Sequence, residues 1–188
     1  MKNKILITSL FLAAFACGSA FAGLSEIGLG YSTVKIFGNQ ASLLTRQSAW
    51  QGDVVVDQIG LGNNVEAFLT EIYQSYQVNQ LNDVKLNFWG TFVGLRVKSA
   101  PIDAPYVLAI APTLGFQAGF AWDGFKYASD AGTAQNSATS FAARIVPGVE
   151  IPFFKFLAGS VEFPYTVFYL KSNALSTWSS VFSLRWKL

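Results

Sequence analysis

PYVLAIAPTLGFQAGFAWDGFK, residues 105–126, is the stretch whose reading decides the fold. Its even positions are Tyr106, Leu108, Ile110, Pro112, Leu114, Phe116, Ala118, Phe120 and Trp122. Its odd positions are Val107, Ala109, Ala111, Thr113, Gly115, Gln117, Gly119, Ala121 and Asp123. One set is large and apolar; the other is small and turns polar. A β-strand sends alternate side chains to opposite faces, so it separates the two sets cleanly. Pro112, Gly115 and Gly119 spoil the same stretch as a helix. In a soluble sheet the large face would be the core. Here the composition argues that it meets lipid.

Charged residues make up only 13% of the chain and aromatics 15%, with 17 phenylalanines, whereas soluble domains carry about 25% charged residues. So few charges cover a water-exposed surface poorly. Beyond the first residues there is no uninterrupted apolar run of the length a membrane helix needs, about 18 residues or more. A greasy, poorly charged chain without such a helix has one other way to cross a bilayer, a closed β-barrel whose backbone groups all pair within the sheet.

The N-terminus supplies an address. Lys2 and Lys4 precede the apolar run Ile5–Ala16, and Ser19-Ala20-Phe21-Ala22 precedes Gly23. This is the layout of a secretory signal peptide over residues 1–22, with the barrel domain over 23–188. The single cysteine, Cys17, leaves with the signal. In a lipoprotein reading it would instead become the lipidated first residue, although Ala14 stands where such signals usually carry Leu. Removing Lys2 and Lys4 lowers the 13 basic residues to the number of the 11 acidic ones, so the charge balance argues against a nucleic-acid partner.

Working outward from 105–126, eight segments read as strands: 24–37, 42–59, 64–77, 84–98, 105–126, 139–151, 156–171 and 177–188. The expected fold is all-β, an antiparallel transmembrane β-barrel of about eight strands. An even count puts both termini on the periplasmic side. The Ala-, Ser- and Asn-rich stretch Ala128–Thr139 reads as the longest loop. In the fourth segment, Val84, Leu86, Phe88 and Phe92 form the apolar face, against Lys85, Asn87 and Thr91. One segment resists. Val65, Phe68, Leu69, Ile72, Tyr73 and Tyr76 follow the three-four spacing of an amphipathic helix, and Asn63 with Glu66 resembles a helix start. The alternative fold therefore has about six strands and a helical insertion within 38–82, closed or supported by oligomerisation.

The alternation assigns the sides. Tyr106, Leu108, Ile110, Leu114, Phe116, Phe120, Trp122, Val161, Phe163, Tyr165, Phe182, Leu184 and Trp186 are expected to face lipid. Lys85, Arg144, Glu150, Glu162 and Arg185 are expected to form a polar network in the lumen. Tyr106, Phe153, Phe154, Phe156 and Trp186 should lie near the periplasmic rim; Trp122, Phe125, Tyr127, Phe168, Tyr169 and Trp178 should lie near the outer one, as interfacial girdles.

The final stretch, Trp178 to Leu188, resembles the C-terminal strand of outer-membrane β-barrel proteins, in which outward apolar residues alternate to the chain end. In that family the last residue is commonly aromatic; here it is Leu188, with Trp186 two residues earlier. The resemblance implies a bacterial outer-membrane location and recognition of residues 178–188 by the outer-membrane assembly machinery. The overall cast is also similar to small porin-like major outer-membrane proteins of predatory bacteria, some of which form lipid-enclosing oligomers.

Catalysis has little to work with. The chain has no histidine, so a Ser-His scheme of the kind lipid-modifying barrels use is unavailable. Glu150 and Glu162 could do acid–base work, but Arg144, Arg185 and Lys85 offer them partners, and salt-bridged filling of the lumen is the commoner outcome. Without His or Cys in the mature chain no soft metal site can form, and no cofactor is expected. The reading is a non-enzymatic outer-membrane protein with a structural or lipid-organising role, bound to membrane lipid and homo-oligomeric. A porin-like channel, a lipid-modifying enzyme and a soluble lipid-binding barrel are the alternatives.

Overall fold

A computed structural model describes residues 24–37, 44–45, 48–56, 64–78, 85–102, 109–129, 132–169 and 174–188. Ten strands form one antiparallel sheet: β1 (Leu24–Phe37), β2 (Leu44–Thr45), β3 (Ser48–Val56), β4 (Val65–Val78), β5 (Lys85–Lys98), β6 (Ala111–Ser129), β7 (Gly132–Phe154), β8 (Leu157–Glu162), β9 (Tyr165–Tyr169) and β10 (Ala174–Lys187). Among the described residues, the short β2 pairs with the end of β4. β8 and β9 share one stave, interrupted at Phe163-Pro164, and both pair with β7 on one side and β10 on the other. Two backbone bonds carry the ladder across that interruption: Phe163 N–H donates to the Pro147 carbonyl at 2.8 Å, and Ser179 N–H to the Pro164 carbonyl at 2.9 Å. Eight staves result.

The sheet closes where β1 meets β10, from Glu26↔Lys187 to Phe37↔Ser176. The registers fix the inclination of the strands. Cα partners lead from Arg185 on β10 to Gly28, Asp53, Thr70, Phe92, Gly119, Ala142 and Phe168, and back to β10 at Leu175, ten residues before the start. For eight strands this stagger corresponds to a tilt of roughly 40°. Strong coiling makes β5 and β6 approach closely at two glycines. A Cβ on Gly119 would run into the Thr91 carbonyl, and one on Gly94 into the Phe116 carbonyl.

Residues 65–78 are strand, so the helical alternative is overturned. They pair with β5 over thirteen positions, Val65↔Val97 to Gln77↔Lys85, and with β3 from Ala67↔Val56 to Gln74↔Ala49. The three-four spacing has a simple origin. Phe68, Ile72 and Tyr76 lie four apart on the inner face, while Val65, Leu69 and Tyr73 lie four apart on the outer one. Two interleaved period-four sets imitate a helical stripe.

Three further expectations are corrected. Within the stretch expected to be the longest loop, Ala128–Thr139, residues 128–129 and 132–139 are strand, because β6 and β7 pair as far as Ser129↔Gly132, and 130–131 lie outside the described residues; small side chains do not prevent a backbone ladder. The organising strand begins at Ala111 rather than Pro105; an isolated Ile102↔Ile110 bridge precedes it, and 103–108 lie outside the described residues. On β5 the faces are reversed: Phe88 and Phe92 point into the barrel, and Asn87 and Thr91 point out with Trp89, Val93, Leu95 and Val97. The proposed signal peptide also falls outside the described residues.

The reversal on β5 has a cause inside the barrel. The end of the lumen away from the termini is apolar: Val34, Ile36, Ile72, Tyr76, Phe88, Phe92, Ala121, Ala142, Phe168 and Leu175 pack there as one buried cluster. Phe88 lies 5.3 Å from Phe168 between ring centroids and meets Tyr76 edge-on at 5.6 Å. Phe168→Ala should therefore lower the unfolding free energy in detergent by about 3–5 kcal/mol. Denaturant titration followed by tryptophan fluorescence checks this; an unchanged midpoint would mean the roof carries no packing energy.

Candidate functional site in the barrel lumen

Below the apolar roof the lumen becomes polar, and near the termini it becomes charged. Six staves contribute. Glu26 comes from β1, Glu66 from β4, Arg96 and Lys98 from β5, Glu150 from β7, Glu162 from β8, and Arg185 and Lys187 from β10. Each sits on the inner face because its parity along the strand matches that of the small and apolar residues further along. Arg96, Glu150, Glu162 and Arg185 are at most 1% exposed.

The pairing is dense. Arg96 donates to the Glu66 carboxylate through Nε at 2.7 Å and through Nη2, and Glu26 Oε2 lies 3.6 Å from Nη2. Arg185 Nη2 is paired with Glu162, and its Nη1 lies 4.0 Å from Glu150. Lys98 Nζ donates to Glu150 Oε1 at 2.6 Å, and Lys187 Nζ to the same oxygen at 3.2 Å. Lys187 also lies 3.7 Å from Glu26. Four carboxylates thus share four cations in a continuous floor.

A rung of neutral and cationic groups links floor to roof. Gln51 Nε2 donates to Glu162 Oε2 at 3.2 Å. Arg144 donates to Gln51 Oε1 at 3.1 Å and to Gln117 Oε1 at 3.2 Å. Gln117 Nε2 donates to Thr70 Oγ1 at 2.7 Å. The Arg144 guanidinium also lies 5.0 Å from the centre of the Phe92 ring, where a cation meets the negative face of an aromatic. Charge therefore passes to hydrocarbon through one residue that can serve both.

Of the residues expected in the lumen, Arg144, Glu150, Glu162 and Arg185 are brought together in this network; the Lys85 side chain lies outside the described residues. Sequence reading missed Glu26, Glu66, Arg96, Lys98 and Lys187. Parity alone held the signal: Glu26 alternates with Ile27 and Leu29, and Arg96 with Leu95 and Val97. Phe168, expected at the outer rim, is buried inside.

On the outside, Leu114, Phe116, Phe120, Trp122, Phe163, Tyr165, Phe182, Leu184 and Trp186 are exposed, and Ile110 and Val161 are half-exposed; Tyr106 and Leu108 lie outside the described residues. Exposed Phe153, Phe154 and Phe156 cluster at the β7–β8 turn, at the end where the termini lie. Trp122, Tyr169 and Trp178 are exposed toward the opposite end. A closed sheet with an apolar exterior and a polar, filled interior inverts the arrangement of a soluble barrel. The fold is that of the small outer-membrane β-barrels.

Solved structures agree. The chain is similar to neisserial surface protein A, at 10% identity and a TM-score of 0.62, over 87% of this chain and 97% of that one. It is similar to Ail, the attachment invasion locus protein of Yersinia pestis, at 12% identity and a TM-score of 0.55, over 88% and 99%. It is also similar to the N-terminal β-barrel domain of Pseudomonas aeruginosa OprF, at 13% identity and a TM-score of 0.50, over 88% and 99%. No family model and no curated protein matches the sequence. With its apolar exterior, this outer-membrane barrel is an integral protein of the bacterial outer membrane.

The floor sets a stability test. Arg96→Met removes the cation hydrogen-bonded to Glu66 and leaves only Lys98, 3.8 Å away, to face it, which should destabilise the barrel by about 3–5 kcal/mol. Adding Glu66→Gln should restore more than half of that loss, because the uncompensated charge is removed with it. Unfolding free energies of the single and double variants in the same detergent decide; equal stability of the two would show that the pair is not energetically coupled.

Proposed function

We propose that this barrel is a non-enzymatic structural protein of the outer membrane that works through its outer surface, on membrane lipid and on other copies of itself. The filled lumen carries this reading. An eight-stranded barrel is just wide enough for side chains to fill, and here three successive layers fill it: ion pairs, an amide and guanidinium rung, and packed aromatics. Such an interior argues against a water column for solutes. Its two most buried carboxylates, Glu150 and Glu162, are held by lysine and arginine, and the chain has no histidine to act as a base. Both points argue against the lipid-modifying reading.

Residues 178–188 keep outward Trp178, Phe182, Leu184 and Trp186 exposed along β10, which suits recognition by the assembly machinery before the barrel closes. The surface left for a task is then the exterior, with its lipid contacts and its capacity to meet another copy.

Purified barrel reconstituted in planar bilayers should give no steady ohmic steps, and its native mass in mild detergent should be a multiple of the chain mass. Large, steady conductance would promote the porin-like channel in its place. A monomeric mass would remove self-association from the proposal.

A further inference from the structure

The outer edge of the apolar coat is not level around the barrel. A row of outward aromatic residues runs across consecutive staves, each directly opposite the next: Tyr31↔Trp50↔Tyr73↔Trp89↔Trp122. Tyr31 meets Trp50 edge-on at 5.1 Å, and Tyr73 lies 6.0 Å from Trp89 between ring centroids. All are exposed or half-exposed. All are tyrosine or tryptophan, the side chains that settle at the headgroup level of a bilayer. A register row lies across tilted strands, so it climbs toward the outer end as it passes around the wall. At about 3.3 Å per residue and a tilt near 40°, a stagger of ten residues per circuit lifts the row by roughly 13 Å between Tyr31 and Trp122.

Polar side chains follow the same slope. On the low side, Thr33 on β1 stands across from Ser180 on β10, and Glu71 on β4 across from Thr91 on β5; all four are outward and half-exposed. Glu71 accepts from Trp89 Nε1 at 2.8 Å and from Thr91 Oγ1 at 2.7 Å, and the Tyr73 hydroxyl donates to Asn87 Oδ1 at 3.0 Å. Groups bonded within their own barrel need no fixed partner, and they suit water and mobile headgroups. Lys35, exposed two residues above Thr33, adds a cation on a flexible stem that can reach lipid phosphate. Beyond Thr91 the row from Glu71 continues through Phe120, Phe141 and Tyr169, which lie higher on the wall yet are exposed and aromatic. The wall from β6 to β9 is therefore still apolar at heights where β10, β1 and β4 have turned polar. At the opposite end, exposed Phe153, Phe154 and Phe156 prolong the coat at the β7–β8 turn, on that same wall. Tilting a barrel would raise a wall's coat at one end and lower it at the other; here one wall is extended at both.

We infer that the lipid headgroups of the outer leaflet meet this barrel lower on the β10–β1–β3–β4 wall than on the β6–β9 wall, so that the bilayer is locally thin on one side of the protein. A short apolar wall draws the bilayer in around it, and a tall one does not. The polar positions on the low wall are then filled by headgroups and water. This inference rests on the action on membrane lipid proposed above and gives that action a side.

Nitroxide labels on single cysteines measure the depth of each wall, in a Cys17→Ser background and in dioleoyl phosphatidylcholine vesicles. Ser180 and Ala118, both outward, lie on the order of 5 Å above Phe182 along the barrel axis, one on each wall. Relative to oxygen, a water-soluble nickel complex should reach a label at Ser180→Cys several-fold more readily than one at Ala118→Cys. Equal ratios at the two positions overturn the slope. Toward the termini, outward Ile27 and Val149 both lie on the order of 7 Å below Phe182. A label at Ile27→Cys should be no deeper in hydrocarbon than one at Val149→Cys; a clearly deeper one means a tilted barrel and overturns the thinning. A Ser180 label open to nickel in vesicles but shielded from both reagents in outer membranes means that a polypeptide covers the patch, and it overturns lipid as the occupant. Thr33→Cys replaces Ser180→Cys if that variant loses the boiling-dependent gel shift of the folded barrel. Conductance and native mass are read separately, so a level boundary ends this inference and leaves the structural role standing, whereas a large conductance removes that role without altering the label pattern.

Discussion

Closure of the sheet between β1 and β10 is the constraint on which the rest of the structure depends. In hydrocarbon an unpaired backbone amide has no water to turn to, so a spanning sheet is stable only without edges. The twelve partnered positions from Glu26↔Lys187 to Phe37↔Ser176 remove the two edges at once. They also determine which side chains share the lumen, because the stagger set at this seam runs through every other register. A slip of one residue would turn Arg185 toward lipid and Trp186 into the ion pairs.

Closure and the charged floor depend on each other. Glu26 lies on the first strand, and Arg185 and Lys187 on the last. Before the seam forms, Glu162 lacks Arg185, and Glu150 has Lys98 but not Lys187. The ion pairing of Glu150 and Glu162 is thus completed only when the last strand docks. The rung through Gln51, Arg144 and Gln117 repeats this logic across the barrel, since it joins β3, β7 and β6, which are not all neighbours in the sheet. The polar interior thereby ties distant staves together, something the ladder, which links only adjacent strands, cannot do.

Much of this was legible in the sequence, and the illegible part has a physical reason. On β6, β7 and β10 large residues alternate with small or polar ones, so 111–122, 140–150 and 178–187 could be assigned to their faces from the residues alone. That rule assumes that a lumen residue is small or charged. It holds at the floor, where Glu150 and Arg185 sit, and fails at the roof, where Phe88, Phe92 and Phe168 are the filling. On β4 both faces carry large residues, Phe68 and Ile72 inside, Leu69 and Tyr73 outside, and the alternation disappears into an apparent helical stripe. A ladder is also blind to side-chain size, which is why Ala128–Thr139 reads as loop while its residues 128–129 and 132–139 pair as strand.

The same interior explains why the exterior is where specificity can reside. A lumen filled by paired charges and packed rings leaves little room for a ligand, and changing one member of a pair exposes its partner. The outer wall is under a different rule: nearly any apolar residue serves against lipid, so departures from apolarity stand out. Glu71, with Trp89 and Thr91 donating to it, is such a departure. A carboxylate there is tolerated only as part of a hydrogen-bonded set. Its own barrel supplies that set, with Trp89 Nε1 donating to one carboxylate oxygen and the Thr91 hydroxyl to the other.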